Sequence, residues 1–223
     1  LSKCENKYKI LNNEMVNQNA ILFVVAAPSG AGKTSLLKAL KKINNRVSIS
    51  ISHTTRQSRE GEVEGKDYFF VSEKKFKDLI KENYFLEYAR VFDNYYGTSR
   101  GHIESILKSG SNIILEIDWQ GAQKVRASGI NTMGIFILPP NYKTLKERLI
   151  SRQKDSVETI KRRMDAAFSE ISHYNEFDFI LVNDEFEQTV IKLNEIITSP
   201  RAGLHKKTSL HDDFISELMA QRE

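Results

Sequence analysis

The segment Ala27-Pro28-Ser29-Gly30-Ala31-Gly32-Lys33-Thr34, continued by Ser35, directly follows an apolar run and opens a stretch of helical periodicity. It matches the phosphate-loop spacing G-x-x-x-x-G-K-[ST], with Ala27 in the place of the first glycine. Gly30 and Gly32 allow the backbone to turn its N–H groups inward at phosphate oxygens, and the positive end of the following helix adds to that field. In such a loop Lys33 reaches the β- and γ-phosphates and the Thr34 hydroxyl ligates Mg²⁺. A nucleoside triphosphate held by residues 27–35 is the first expectation. A guanine-reading Asn-Lys-x-Asp is absent, because the single Asn-Lys (Asn6-Lys7) runs into Tyr8-Lys9, so a GTPase is excluded.

Other residues with chemistry to offer lie further along. Arg56 and Arg59 are three apart, with Tyr68 nearby. Guanidinium forks match phosphate oxygens two at a time, so the trio suits a monophosphate, although a solvated basic loop reads the same way. Glu116 closes the run Asn112-Ile-Ile-Leu115, where a phosphate-loop protein keeps the acid that orients Mg²⁺; the longer Glu side chain favours a water-mediated contact. Trp119, just after it, reads as packing. Arg148 and Arg152 are four apart and share a helical face. Asp155 and Glu158 have capping-box spacing, and Arg162 and Arg163 follow. A transferring phosphoryl group needs positive charge around it, which arginine supplies without titrating.

These residues must be positioned by elements that the apolar pattern outlines. Strands are expected at Ile21–Ala26, Arg46–Ile51, Asn112–Ile117, Met133–Leu138 and Asp178–Val182, several being continuous Ile/Val-rich runs of a doubly buried parallel sheet. Helices are expected at Lys33–Ile43 (stripe Leu36, Leu37, Leu40, Ile43), at Arg100–Ser109 ending on Gly110, and at Glu185–Thr198. The alternation predicts an α/β fold with a doubly wound, parallel five-stranded core sheet. Residues 1–19 read as an N-terminal extension and 20–199 as one domain, its core in 20–51, 102–141 and 173–199. Residues 52–101 read as a small β-rich insert, 142–172 as a helical lid, and 200–223 as a tail. In the tail, Phe214, Ile215 and Leu218 form one face, for docking or a subunit contact.

Composition narrows the classes further. The chain has 223 residues, 40% hydrophobic and 28% charged, with net charge +4 and one cysteine, Cys4. That excludes global disorder and an internal disulfide, and scattered histidines argue against a protein-held zinc. The longest apolar run is too short for a bilayer span and the first residues are polar, so a cytoplasmic protein is expected. The basic balance suits anionic ligands; RNA binding has no motif behind it.

The loop APSGAGKTS, the segment SHTTRQSREGEVEGKDYFF, the run NYYGTS and the phrase LEIDWQGAQ together resemble guanylate kinase, over about Ile21 to Thr198. The resemblance implies a P-loop nucleoside-monophosphate kinase that moves a phosphoryl group from ATP to GMP with Mg²⁺, in purine nucleotide metabolism, with dGMP as a further acceptor and a homodimer as an option. It implies a GMP-phosphate site at Arg56, Arg59, Tyr68 and Tyr96, and guanine contacts at Ser52, Glu87, Thr98 and Asp118. It makes 52–101 the GMP-binding insert, puts Arg148, Arg152 and Arg163 on ATP phosphates or the transferred group, and sets Asn183 near the adenine. The family usually carries Asp where this chain has Glu116. The guanine chemistry agrees, since carboxylates satisfy the N1–H and N2–H₂ donors and a hydroxyl donates to O6. Two rivals are a non-catalytic phosphopeptide-binding module, which the intact phosphate loop argues against, and a kinase for another nucleoside monophosphate.

Overall fold

The computed structural model describes residues 20–91, 93–151 and 157–221. Arg152 and Asp155 lie outside the described residues, as does the side chain of Glu158.

Five strands form the main sheet: β1 (Leu22–Ala26), β2 (Ser48–Ile49), β7 (Ile113–Glu116), β8 (Thr132–Leu138) and β9 (Phe179–Val182), in the order β2-β7-β1-β8-β9. β2 runs parallel to β7 and β8 parallel to β9. All five residues of β1 are buried, as are Ile113–Leu115 and Phe179–Leu181, which is why these segments are apolar without alternation. This is the doubly wound parallel arrangement the strand–helix alternation predicts. The second expected strand shrinks to two residues, because Arg46 and Val47 belong to the turn out of the preceding helix, where Val47 N–H reaches back to Asn44 O.

The chain forms two compact units. Among the described residues, one comprises 20–22, 48–115 and 123–132; the other comprises 23–47, 116–122 and those from 133 on.

In the first unit a four-stranded sheet has the order β4 (Phe69–Phe70), β3 (His53–Thr54), β6 (Asn94–Ser99), β5 (Phe85–Val91). The β5–β6 hairpin sets Glu87 opposite Thr98, and β3–β6 pairing sets Thr54 opposite Tyr96. Within this segment the structure adds a helix, α2 (Glu73–Lys81), started by the Ser72 hydroxyl accepting from Lys75 N–H. Its Phe76 and Leu79 join Phe85 in a small core, with Val71, Ile80 and Tyr95 against it. Gly97 is required here: a Cβ would fall 2.9 Å from Phe76 Cζ and from Phe85 Cδ1. Helix α3 (Arg100–Lys108) buries Ile103 and stops before Gly110, whose φ is 81°.

In the second unit α1 (Lys33–Ile43) buries Leu36, Leu37 and Leu40. Ile43, expected on the same stripe, is 59% exposed, because the helix ends there and the chain turns away. α7 (Phe186–Thr198) packs on α1, and Asn44 Nδ2 donates to Asn194 Oδ1 at 2.8 Å. Also present are α5 (Tyr142–Ser151) and α6 (Val157–Ile171), packed on each other, and the tail helix α8 (Ser209–Ala220). α8 buries Ile215 and Leu218, and Asp212 accepts from the Tyr174 hydroxyl, so the tail helix is docked. A further helix, α4 (Trp119–Ala127), follows β7. Among the described residues no helix is long and apolar enough to cross a membrane.

Candidate active site

The phosphate loop lies in the second unit, where β1 ends and α1 begins. Gly30 and Gly32 have φ of 94° and 95°, the left-handed region closed to most side chains, whereas Ala27 is not among the positive-φ residues. Each glycine is needed for space as well. A Cβ on Gly30 would lie 2.9 Å from Leu145 Cδ1, and one on Gly32 would lie 2.5 Å from Asn183 Nδ2. Gly32 is the N-cap of α1 and brings no side chain to the helix terminus, and the first turn holds no acidic residue. An unneutralised helix start beside a glycine loop is a site for an anion.

Around this loop the structure gathers several residues singled out from the sequence. Lys33 Nζ donates to Ile117 O at 3.0 Å, which holds the ammonium beside the loop. Thr34 Oγ1 donates to Glu116 Oε1 at 2.5 Å. A hydroxyl and a carboxylate oxygen brought together are donors that a hard cation such as Mg²⁺ prefers, so this pair fits the ion. Arg148 Nη1 donates to Ala31 O at 3.5 Å. Asn183 is buried, and its Nδ2 donates to Ala31 O at 2.7 Å, so its amide braces the loop. Asp118 Oδ1 accepts from Gly121 N–H at 2.8 Å, capping α4. Trp119 stacks on His173 with ring centroids 3.4 Å apart, the packing role expected of it. Arg163 lies partly exposed on α6.

Glu170 was not legible as a site residue. Its Oε2 accepts from Ser29 N–H at 3.1 Å, across 141 positions of sequence. Burial pushes its carboxyl up to about 7, against the pull of Lys33 and the Ser29 hydrogen bond. No local motif marks it.

The first unit holds the other group. Arg56 Nη2 donates to both oxygens of Glu62, at 2.8 and 2.9 Å, and its guanidinium lies 5.3 Å from the centre of the Tyr68 ring. Burial works against the Glu62 charge, yet its bonds to Arg56 and to Arg59 N–H hold its carboxyl below the usual range. Tyr68 and Tyr96 meet edge to face at 6.1 Å, and Tyr96 also shares a side-chain hydrogen bond with Arg56. Arg56, Tyr68 and Tyr96 are thus brought together, with the Glu62 carboxylate on the guanidinium. Glu62 is the partner the sequence reading passed over, although R-x-x-R-x-x-E at 56–62 carries the signal. Arg59 is exposed; Ser52 is half-buried, and its carbonyl accepts from Phe69 N–H.

Glu87 and Thr98 form the deepest polar contact of this unit. Thr98 Oγ1 donates to Glu87 Oε1 at 2.6 Å, with the residues 0% and 5% exposed. A carboxylate is retained at such depth where hydrogen-bond donors meet it.

The sheet order and the loop define a phosphate-binding α/β protein of the P-loop type. The guanylate kinase family profile matches residues 19–200. Guanylate kinases of Photorhabdus laumondii and Escherichia coli O157:H7 are 49% and 48% identical over 201 residues, covering 89% of this chain and 97% of theirs. That of Rickettsia felis is 46% identical over 186 residues, covering 83% of this chain and 97% of its own. The crystal structure of guanylate kinase from Anaplasma phagocytophilum aligns with TM-score 0.65 at 30% identity, covering 89% of this chain and 94% of that one. The chain belongs to the guanylate kinase family.

Proposed function

We propose that the chain transfers the γ-phosphoryl group of ATP to GMP, giving ADP and GDP. The observation that carries this reading is the buried Glu87–Thr98 pair, in the same unit as the Arg56, Tyr68 and Tyr96 cluster. A carboxylate held at depth suits the two N–H donors on one edge of guanine, and adenine has no N1–H to offer it. Arg56 and Arg59 take the GMP phosphate, for which the Glu62 carboxylate stands in as the planar anion. Ser52 and Asp118 add contacts to the base.

ATP phosphates lie on the amides of residues 27–35, with Lys33 at the β- and γ-phosphates. Thr34 directly and Glu116 through water would hold Mg²⁺, which would neutralise charge building on the phosphate oxygens. The acceptor oxygen of GMP is already anionic, so the chain needs no strong base and forms no covalent intermediate. Its own work is to align the two nucleotides, surround the moving group with Arg148, Arg152 and Arg163, and exclude water as a competing acceptor. Residues 142–172, which carry those arginines, serve as the lid.

Phosphorus NMR of a mixture of the chain, ATP, GMP and Mg²⁺ tests the reaction. ADP and GDP are expected to appear in equal amounts and only when GMP is present. Release of inorganic phosphate without GDP would contradict the assignment.

A further inference from the structure

Glu170 is a carboxyl that neither phosphate binding nor guanine recognition accounts for. It is the second-last residue of α6, and it accepts a hydrogen bond from Ser29 N–H inside the phosphate loop itself. An acid placed against a polyphosphate cradle is electrostatically out of place: charged, it would repel the ligand that the loop is built to hold.

We propose that Glu170 is a positioning residue of the phosphate loop that takes up a proton as the triphosphate enters, the neutral carboxyl keeping its hold on Ser29 N–H. The proposal rests on the reading of residues 27–35 as the ATP-phosphate site. A neutral carboxyl still accepts from Ser29 through its carbonyl oxygen, and its O–H becomes a donor in a place where acceptors arrive. A charged one accepts from Ser29 more strongly but opposes the incoming phosphates.

The charged surroundings leave this choice finely set. Lys33 from α1 favours the anion, while Asp118, at the start of α4, opposes it, and burial opposes it most. On α6 itself Arg163 lies seven residues earlier, on the same face by helical spacing. His173, just past the helix, is engaged with Glu176 at 2.7 Å and with the Trp119 ring. The carboxyl stands at about 7 before any nucleotide is present, so the added negative charge of phosphates lifts it further and draws in a proton.

Proton uptake is measurable by calorimetry of MgATP binding in two buffers of different ionisation enthalpy at pH 8.0, where ATP itself is fully ionised. The wild-type chain is expected to take up about half a proton or more, and its MgATP Kd to rise about fivefold or more between pH 6.5 and 8.5. Glu170→Gln, which keeps the oxygen that accepts from Ser29, should take up no proton and show less than a twofold change. Glu170→Ala should raise KM for ATP with KM for GMP unchanged, a split that the Gln variant does not share at pH 6.5. Absence of proton uptake in the wild type, or equal pH slopes in wild type and Glu170→Gln, overturns the proposal. Binding is read without turnover, so the two readings fail separately. Uptake without GMP-dependent turnover contradicts the reaction and supports the role of Glu170; turnover without uptake does the reverse.

Discussion

Single substitutions at Lys33 and Glu87 test the proposed phosphate and base contacts one at a time. Lys33 donates to Ile117 O in a loop whose conformation is set by glycines and by Asn183, not by the ammonium. Lys33→Ala is therefore expected to lower kcat by about 10²-fold or more while circular dichroism and melting stay near wild type. Near-normal turnover would remove Lys33 from the reaction. Glu87→Gln swaps one buried acceptor for a donor facing either Thr98 or the base. It should weaken GMP binding by about 1–3 kcal/mol, seen as a raised KM for GMP with KM for ATP unmoved. An unchanged KM for GMP would mean that the carboxylate does not meet the base.

At the scale of elements, legibility followed how local each signal is. The phosphate loop is contiguous, so its nine residues were readable from spacing, and the glycines proved necessary for φ and for space alike. α1 was readable to the residue, because its stripe and the glycine before it fall within twelve positions. α2 was passed over: in EKKFKDLIK two buried residues compete with six charged ones, and only Ser72 announces a start. α4 was passed over too, since Gly121 weakens its helical pattern. Glu170 and Asn183 act on the loop from 141 and 152 positions away, and no sequence window holds such a pair. The element-level prediction concerns Gly97, whose missing Cβ admits the rings of Phe76 and Phe85 against β6. Gly97→Ala should destabilise the chain by about 1–3 kcal/mol through overpacking, measured in urea. It should also raise KM for GMP, since Thr98 and Tyr96 flank the displaced residue. A variant as stable as wild type would show that the rings can yield.

For the whole molecule, one described group carries a large expected pH effect. The Glu170 carboxyl titrates near its ordinary 4.5 when the chain is unfolded and at about 7 when folded. Between those values the folded state binds the extra proton, so stability falls as pH rises. The contribution is complete below about 4.5 and lost above about 7, roughly 3 kcal/mol in all before solvent screening reduces it. Denaturation midpoints across this range should decline less for Glu170→Gln than for wild type; parallel curves would mean that the group ionises as freely folded as unfolded.

The proposed reaction requires the union of a triphosphate cradle with a carboxylate that reads guanine. The acceptor panel tests that union most directly: kcat/KM with GMP, AMP, CMP and UMP at saturating MgATP. A site built on hydrogen bonds to the right base rejects analogues by up to ~10⁴–10⁵, so GMP is expected to exceed AMP by at least about 10³-fold. Comparable values for GMP and AMP would contradict the assignment of Glu87 and Thr98, and with it the proposed reaction.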